Sequence, residues 1–267
     1  MDEASARAAY AADSVRALFG RRLLGLPGTY LPHVVHPGPR RWAGPWHYWW
    51  LAHVIDGLVD EAQREQRWGR SDRAATATTL ADRLLRSIRL RNLGRFTNHY
   101  YDDMGWLLLA AQRLNALLAE AGPHAGTRTR RLSLQAGRVL RPAVLRGHTA
   151  ELGGGVFWND HHDFKNAPAT GPAAIFLARI GETTQARALL DWMDDHLRDP
   201  DTGLVIDGIR VAPDGTQTLV RDIYTYNQGT VLGGLVELAE RGDHECAARA
   251  ETLVAAVAAH CAAPAAT

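Results

Sequence analysis

Four stretches of this sequence open on aromatic and polar residues and then turn small or apolar. They are HYWWLAHVIDGL from His47, YYDDMGWLLLA from Tyr100, KNAPATGPAAIFLA from Lys165 and YNQGTVLGGL from Tyr226. Their starts recur at roughly sixty-residue intervals, the spacing of a repeated helical hairpin. Between them lie amphipathic segments rich in arginine and alanine. A helix apolar on most sides is buried, whereas a striped one covers it. The alternation therefore predicts an inner ring of buried helices and an outer ring of striped ones. That is an all-α fold, an α/α toroid, with the four polar starts opening onto one cleft.

Apolar residues recur at three- and four-residue spacing over 4–19, 46–63, 74–91, 102–120, 128–145, 172–180, 184–198, 227–240 and 244–261, which predicts about nine helices. Strand signals are confined to GLVIDGIRV and TQTLVRDIY around Pro213, Asp214 and Gly215, a small hairpin between two helices. Gly122-Pro123, Gly153-Gly154-Gly155, Gly181 and Asp199-Pro200 mark joints. No fold-wide alternation of strand and helix supports a parallel sheet. One domain over 1–267 is expected.

A hydrophobic share of 46% with 22% charged residues excludes general disorder. The 30 basic and 29 acidic residues nearly cancel, so no electrostatic reason points to nucleic acid or an anionic membrane. Lys165 is the only lysine. Cys246 and Cys261 cannot build a disulfide framework or a cysteine-rich zinc site. The acidic, amphipathic start is unlike a secretory signal, and no apolar run reaches the length of a membrane span. A cytoplasmic protein is expected. Phosphate loop, dinucleotide fingerprint and nucleophile elbow are all missing from the sequence.

Asp102 and Asp103 sit among Asn98, His99, Tyr100, Tyr101 and Trp106. Acids in an opening helical turn commonly complement the dipole and the free N–H groups. Here they are surrounded by aromatic and amide side chains suited to sugars, which capping does not require. Glycoside hydrolysis needs two carboxyl groups, about 5–5.5 Å apart in a retaining enzyme. In GGGVFWNDHHDFKN, Trp158 is a candidate stacking platform and Asn159, Lys165 and Asn166 are candidate hydroxyl binders; a tight turn capping the next helix is the alternative. His161, His162 and Asp163 look like metal ligands, but adjacent histidines point apart and no partner is evident, so no metal site is assigned. Tyr226, Asn227 and Gln228 are further substrate candidates, whereas Gly229, Gly233 and Gly234 read as close-packing positions. Asp56 is an acid in an apolar stretch, which needs a partner or a purpose.

YYDDMGWLLLA, GGGVFWN with KNAPATGPAAIFLARIG, and TYNQGTVLGGLVEL together resemble glycoside hydrolase family 76, the endo-α-1,6-mannanases. The resemblance implies an (α/α)6 toroid and retaining hydrolysis of α-1,6-linked mannan or a mannose-rich glycan, with no metal or organic cofactor. It implies Asp102 as nucleophile and Asp103 as general acid/base. The substrate would be bound by Asp56, Tyr101, Trp106, Trp158, Asn159, Lys165, Asn166, Tyr226, Asn227 and Gln228. The charge of Asp102 is expected to raise the pKa of Asp103. Six hairpins exceed the nine helices found, so the ring is expected to lack its last hairpin or so, with self-association or a partner covering the gap. A transglycosylase, a non-catalytic mannan-binding scaffold and a zinc-dependent transferase are the alternatives.

Overall fold

A computed structural model of the chain describes residues 2–38, 46–120 and 127–261. They form helices α1 Glu3–Phe19, α2 Tyr48–Arg67, α3 Ser71–Arg91, α4 Tyr101–Glu120, α5 Thr127–Leu145, α6 Ala167–Arg179, α7 Thr183–Leu197, α8 Thr225–Ala239 and α9 His244–His260. Strands β1 Phe164–Asn166, β2 Ile206–Val211 and β3 Gln217–Ile223 complete the elements. Every helix expected from periodicity is present. The largest shift is at α6, which starts at Ala167 rather than at 172. Asn166 caps it by accepting from the Ala169 N–H, and Pro168 sits in the first turn, where no N–H is needed. The joint at Gly122-Pro123 lies outside the described residues.

The expected hairpin is β2–β3, and a third strand joins it: β1 pairs antiparallel with β2, Phe164 opposite Arg210 and Asn166 opposite Gly208. Any side chain at position 208 would place its Cβ 2.3 Å from the Lys165 carbonyl oxygen, so this approach needs glycine.

Contacts divide the chain into two compact units. One comprises the residues up to Asn98 with Trp106–Arg141; the other comprises His99–Gly105 with the residues from Pro142 on. In the first, α2 packs on α3. Leu51, Ile55, Leu58 and Val59 of α2 are buried, as are Ala77, Ala81, Leu84, Leu85 and Ile88 of α3. Both sets recur at helical spacing, so one face of each helix is removed from water.

In the second unit α6 packs against α7 and α8, and α8 against α9. All of Ala167–Ala178 is buried, which is why this helix reads as apolar all round, whereas α7 and α9 bury only a stripe. Cβ atoms at positions 233 and 234 would lie 2.9 Å from Ile175 and 2.8 Å from Leu190. The glycines thus let α8 approach α6 and α7 closely. No described helix is long and apolar enough to cross a membrane.

Candidate active site

The second unit fixes the start of α4 from outside the helix. The Tyr101 N–H donates to the Trp158 carbonyl at 2.8 Å, and Tyr100 bridges to Asn159. Satisfying an opening N–H with a distant carbonyl holds the first turn in place. Asp102 and Asp103 lie in that turn, both partly exposed. The Asp103 N–H donates to Asp102 Oδ1 at 2.8 Å, and Trp158 Nε1 donates to Asp102 Oδ2 at 3.0 Å. Each Asp102 oxygen therefore has one donor, and its orientation is set from two sides. No cationic side chain pairs with Asp102 among the described residues.

Burial, reinforced by the neighbouring Asp103 charge, pushes the Asp102 pKa up to about 7, against the pull of its two donors. The sequence expectation placed such a rise on Asp103. Here a large rise falls on Asp102, because burial of its carboxyl disfavours the charged form. The indole is itself packed: Tyr100 lies 5.0 Å away between centroids and Phe164 6.1 Å away, edge-on. Trp158 therefore serves Asp102 through its N–H, a role different from the stacking platform expected.

The glycine-rich loop is a structural device. Lys165 is fully buried, and its Nζ donates to the carbonyls of Thr149, Glu151 and Gly154 and to Thr149 Oγ1, at 2.5–3.0 Å. Burial lowers its pKa to about 8, while the Phe157 ring face 4.6 Å away favours the cation. With its three N–H donors all engaged, Lys165 has none left for a sugar hydroxyl. At Gly155, φ is +73° and a Cβ would lie 2.7 Å from the Trp192 ring. Both conditions exclude a side chain there.

Other expected substrate residues also bond within the protein. Asn159 accepts from the His161 N–H, and Asn166 is the α6 cap. Gln228 accepts from the Val205 N–H and donates to the Val205 and Tyr224 carbonyls. Tyr101 is buried, with its hydroxyl 3.3 Å from His162 Nε2. His162 stacks on Phe157 at 4.5 Å. Among the described residues, no three His, Cys, Asp or Glu side chains are grouped to hold a metal ion.

Tyr226 remains open to a ligand. It is 38% exposed and stacks on Tyr224 at 5.0 Å, with planes 8° apart. Burial and the charges of Asp207, Asp102 and Asp222 raise its pKa, so the phenol shares an electrostatic neighbourhood with the aspartate pair. Asn227 beside it donates to Asp207 Oδ1 at 3.3 Å. Asp207 was not singled out from the sequence. Burial raises its pKa, and as a lone acid in a strand that also carries Arg210 it gave no signal in the sequence.

Asp56 and Trp106 belong to the first unit. Arg113 bonds Asp56 at 2.9 Å and also pairs with Asp60, which supplies the partner Asp56 needs inside its apolar stretch. Burial still holds the Asp56 pKa above the usual carboxylate range despite Arg113. Trp106 packs on His53, with centroids 4.6 Å apart.

A helix start carrying two adjacent carboxyl groups, one oriented by two donors and with its pKa pushed up to about 7, is a candidate acid–base or nucleophilic site in a helical protein. The sequence matches the model of Glycosyl hydrolase family 76 over residues 5–265, and the chain belongs to that family. It is accordingly a glycoside hydrolase with the α/α toroid fold of its relatives.

The α-1,6-mannanase of Salegentibacter sp. HEL1_6 is similar at 26% identity and a TM-score of 0.75, over 98% of this chain and 71% of that one. An inactive variant of that enzyme, with two adjacent aspartates replaced by asparagine, was solved with α-1,6-mannotriose; it is similar at 25% identity and a TM-score of 0.75, with the same coverage. A family 76 mannosidase of Bacteroides thetaiotaomicron shares the fold at 18% identity and a TM-score of 0.74, over 97% of this chain and 72% of that one. No curated protein sequence matches the chain.

Proposed function

We propose that the protein hydrolyses α-1,6-mannosidic linkages with retention of anomeric configuration, with Asp102 as nucleophile and Asp103 as general acid/base. The observation that carries this reading is the two-donor clamp on Asp102, Trp158 Nε1 and the Asp103 N–H, with no cation paired to it among the described residues. A carboxylate oriented this way keeps a free lone pair on each oxygen for attack. The adjacent aspartates replaced in the inactive mannanase variant support the pairing.

In the first step an Asp102 oxygen bonds to the anomeric carbon, the glycosidic C–O bond breaks, and Asp103 gives its proton to the departing oxygen. In the second, water bonds to the same carbon while Asp103 takes its proton, and the ester bond to Asp102 breaks. Asp102 must be ionised to attack. Protonation of Asp103 removes the neighbouring charge that helps hold Asp102 near pH 7, so the singly protonated pair is the working state. The aromatic pair Tyr224–Tyr226 offers a face for a pyranose ring, and Asp207 with Asn227 offers hydroxyl contacts.

One observation favours the reverse assignment: a carboxyl raised to about 7 is a competent proton donor. Linear α-1,6-mannan, followed for reducing ends and for the anomer first released, tests hydrolysis and retention together. Release of the β-anomer first would overturn retention; no new reducing ends would overturn the activity. Azide then separates the roles. With an aryl α-1,6-mannobioside, an Asp103 variant should yield the α-glycosyl azide through the Asp102 ester, and formation of that product by an Asp102 variant instead would reverse them.

A further inference from the structure

The first unit carries a groove of about 420 Å³ between one face of α3 and one face of α5. Asp82, Arg86, Arg89 and Leu90 line it from α3; Arg128, Arg131, Leu132 and Gln135 line it from α5, with Gly94 at the end. Both sets fall at three- and four-residue spacing, so each helix turns one continuous face into the groove. Four guanidinium groups therefore face a single carboxylate in a chain whose total charge is only +1.

These arginines are not equivalent. Arg86 pairs with Asp82. Arg89 donates to the Gly94 carbonyl at 2.9 Å and to Gln135 Oε1 at 3.3 Å. Arg128 and Arg131 are exposed and have no hydrogen-bond or ion-pair partner among the described residues. Like charges held together without counterions repel one another and are relieved by an anion. Guanidinium forks match phosphate oxygens in pairs. The floor supplies the opposite need: Asp82 is only 8% exposed, and its Oδ1 is buried with no hydrogen-bond partner. A buried acceptor left unmatched calls for a donor such as a hydroxyl. Leu90 and Leu132 add apolar surface beside both.

We propose that this groove binds a phosphorylated saccharide, its phosphate held by Arg128 and Arg131 and a sugar hydroxyl donating to Asp82. The proposal does not rest on the linkage that the enzyme cleaves. Its combination of a cationic rim and an unmatched acid at the floor distinguishes it from a plain phosphate site, where a carboxylate would only repel.

Calorimetric titration of the full chain with mannose 6-phosphate, mannose and inorganic phosphate tests the proposal. Mannose 6-phosphate should bind one per chain, about tenfold or more tighter than inorganic phosphate, and mannose should not bind measurably. The double variant Arg128→Ala/Arg131→Ala, whose altered side chains are exposed, should melt with the parent and bind mannose 6-phosphate about tenfold more weakly. Asp82→Asn should narrow the gap between the sugar phosphate and inorganic phosphate. Equal binding by parent and double variant would overturn the proposal. So would equal affinity for inorganic phosphate, or capture by phosphatidylinositol vesicles without binding of the soluble sugar phosphate.

Discussion

Lys165 and Asp102 are the two charged side chains of the second unit that burial perturbs most sharply, and both look like ligand contacts in the sequence. They differ in how completely the protein satisfies them. Lys165 sits among four oxygens and an aromatic face, all from its own unit. Asp102 has two donors, no cation, and a carboxylate neighbour that repels it. A charge whose bonding capacity is filled internally holds structure. A charge left partly unmatched remains available to a substrate. The same distinction separates Asp56, matched by Arg113, from the aspartate pair.

The largest effect should come from removing either half of the unmatched pair. Asp102→Asn and Asp103→Asn should each lower turnover on α-1,6-mannan by about 10³-fold or more, read from reducing-end release. Turnover within tenfold of the parent in either variant would place the chemistry elsewhere. Lys165→Met should do the opposite kind of damage. It leaves one buried and two part-buried carbonyls without this donor, so stability should fall by roughly 3 kcal/mol, a drop in Tm of several degrees. An unchanged Tm with a raised KM would return Lys165 to the substrate.

Trp158→Phe sharpens the comparison, because it takes one donor from Asp102 and leaves the ring packing largely in place. A hydrogen bond to a charged group is worth enough to cost about tenfold in kcat/KM. The lost donor stabilised the carboxylate, so the Asp102 pKa should rise further. The alkaline limb of the pH–rate profile, where the pair loses its last proton near pH 7 in the parent, should then move to higher pH. A limb that stays in place would mean another group controls it.

Much of the architecture was legible because helix formation is local: apolar spacing and turn residues mark all nine helices among the described residues and the β2–β3 hairpin. Strand β1 was not, since three residues carry no period and its identity depends on pairing with β2, more than forty positions later. Of the site, the aspartate pair was legible because two acids and several aromatics crowd one helix start. The employment of Lys165, Asn166 and Gln228 was not. A sequence shows what a side chain can bond, and only the fold shows whether a carbonyl reaches it first. Gln228, for example, is filled by Val205, 23 positions away. Asp207 was missed for the converse reason: one acid in a strand has no pattern, and its link to Asn227 exists only once β2 meets α8.

The smallest effect concerns stability and tests the comparison most directly. The Asp102 pKa is raised in the folded chain from 3.8 to about 7, so folding binds a proton more tightly than the unfolded chain does. Its contribution to stability is therefore intact below about pH 4 and is lost as pH rises through about 7. Asparagine resembles the protonated acid in shape and in having one acceptor and one donor group, and it stays neutral at every pH. Asp102→Asn turns its NH2 toward one of the two N–H donors at every pH, so its Tm should gain on the parent's between pH 4 and pH 8 rather than equal it at either. The gain should be on the order of 1 kcal/mol, allowing for the partial exposure of the site. Catalysis is then bought with a local loss of stability. If the variant gains nothing on the parent between pH 4 and pH 8, the two donors outweigh burial and repulsion. Asp102 would then be as fully matched as Lys165, and the distinction between them would fail.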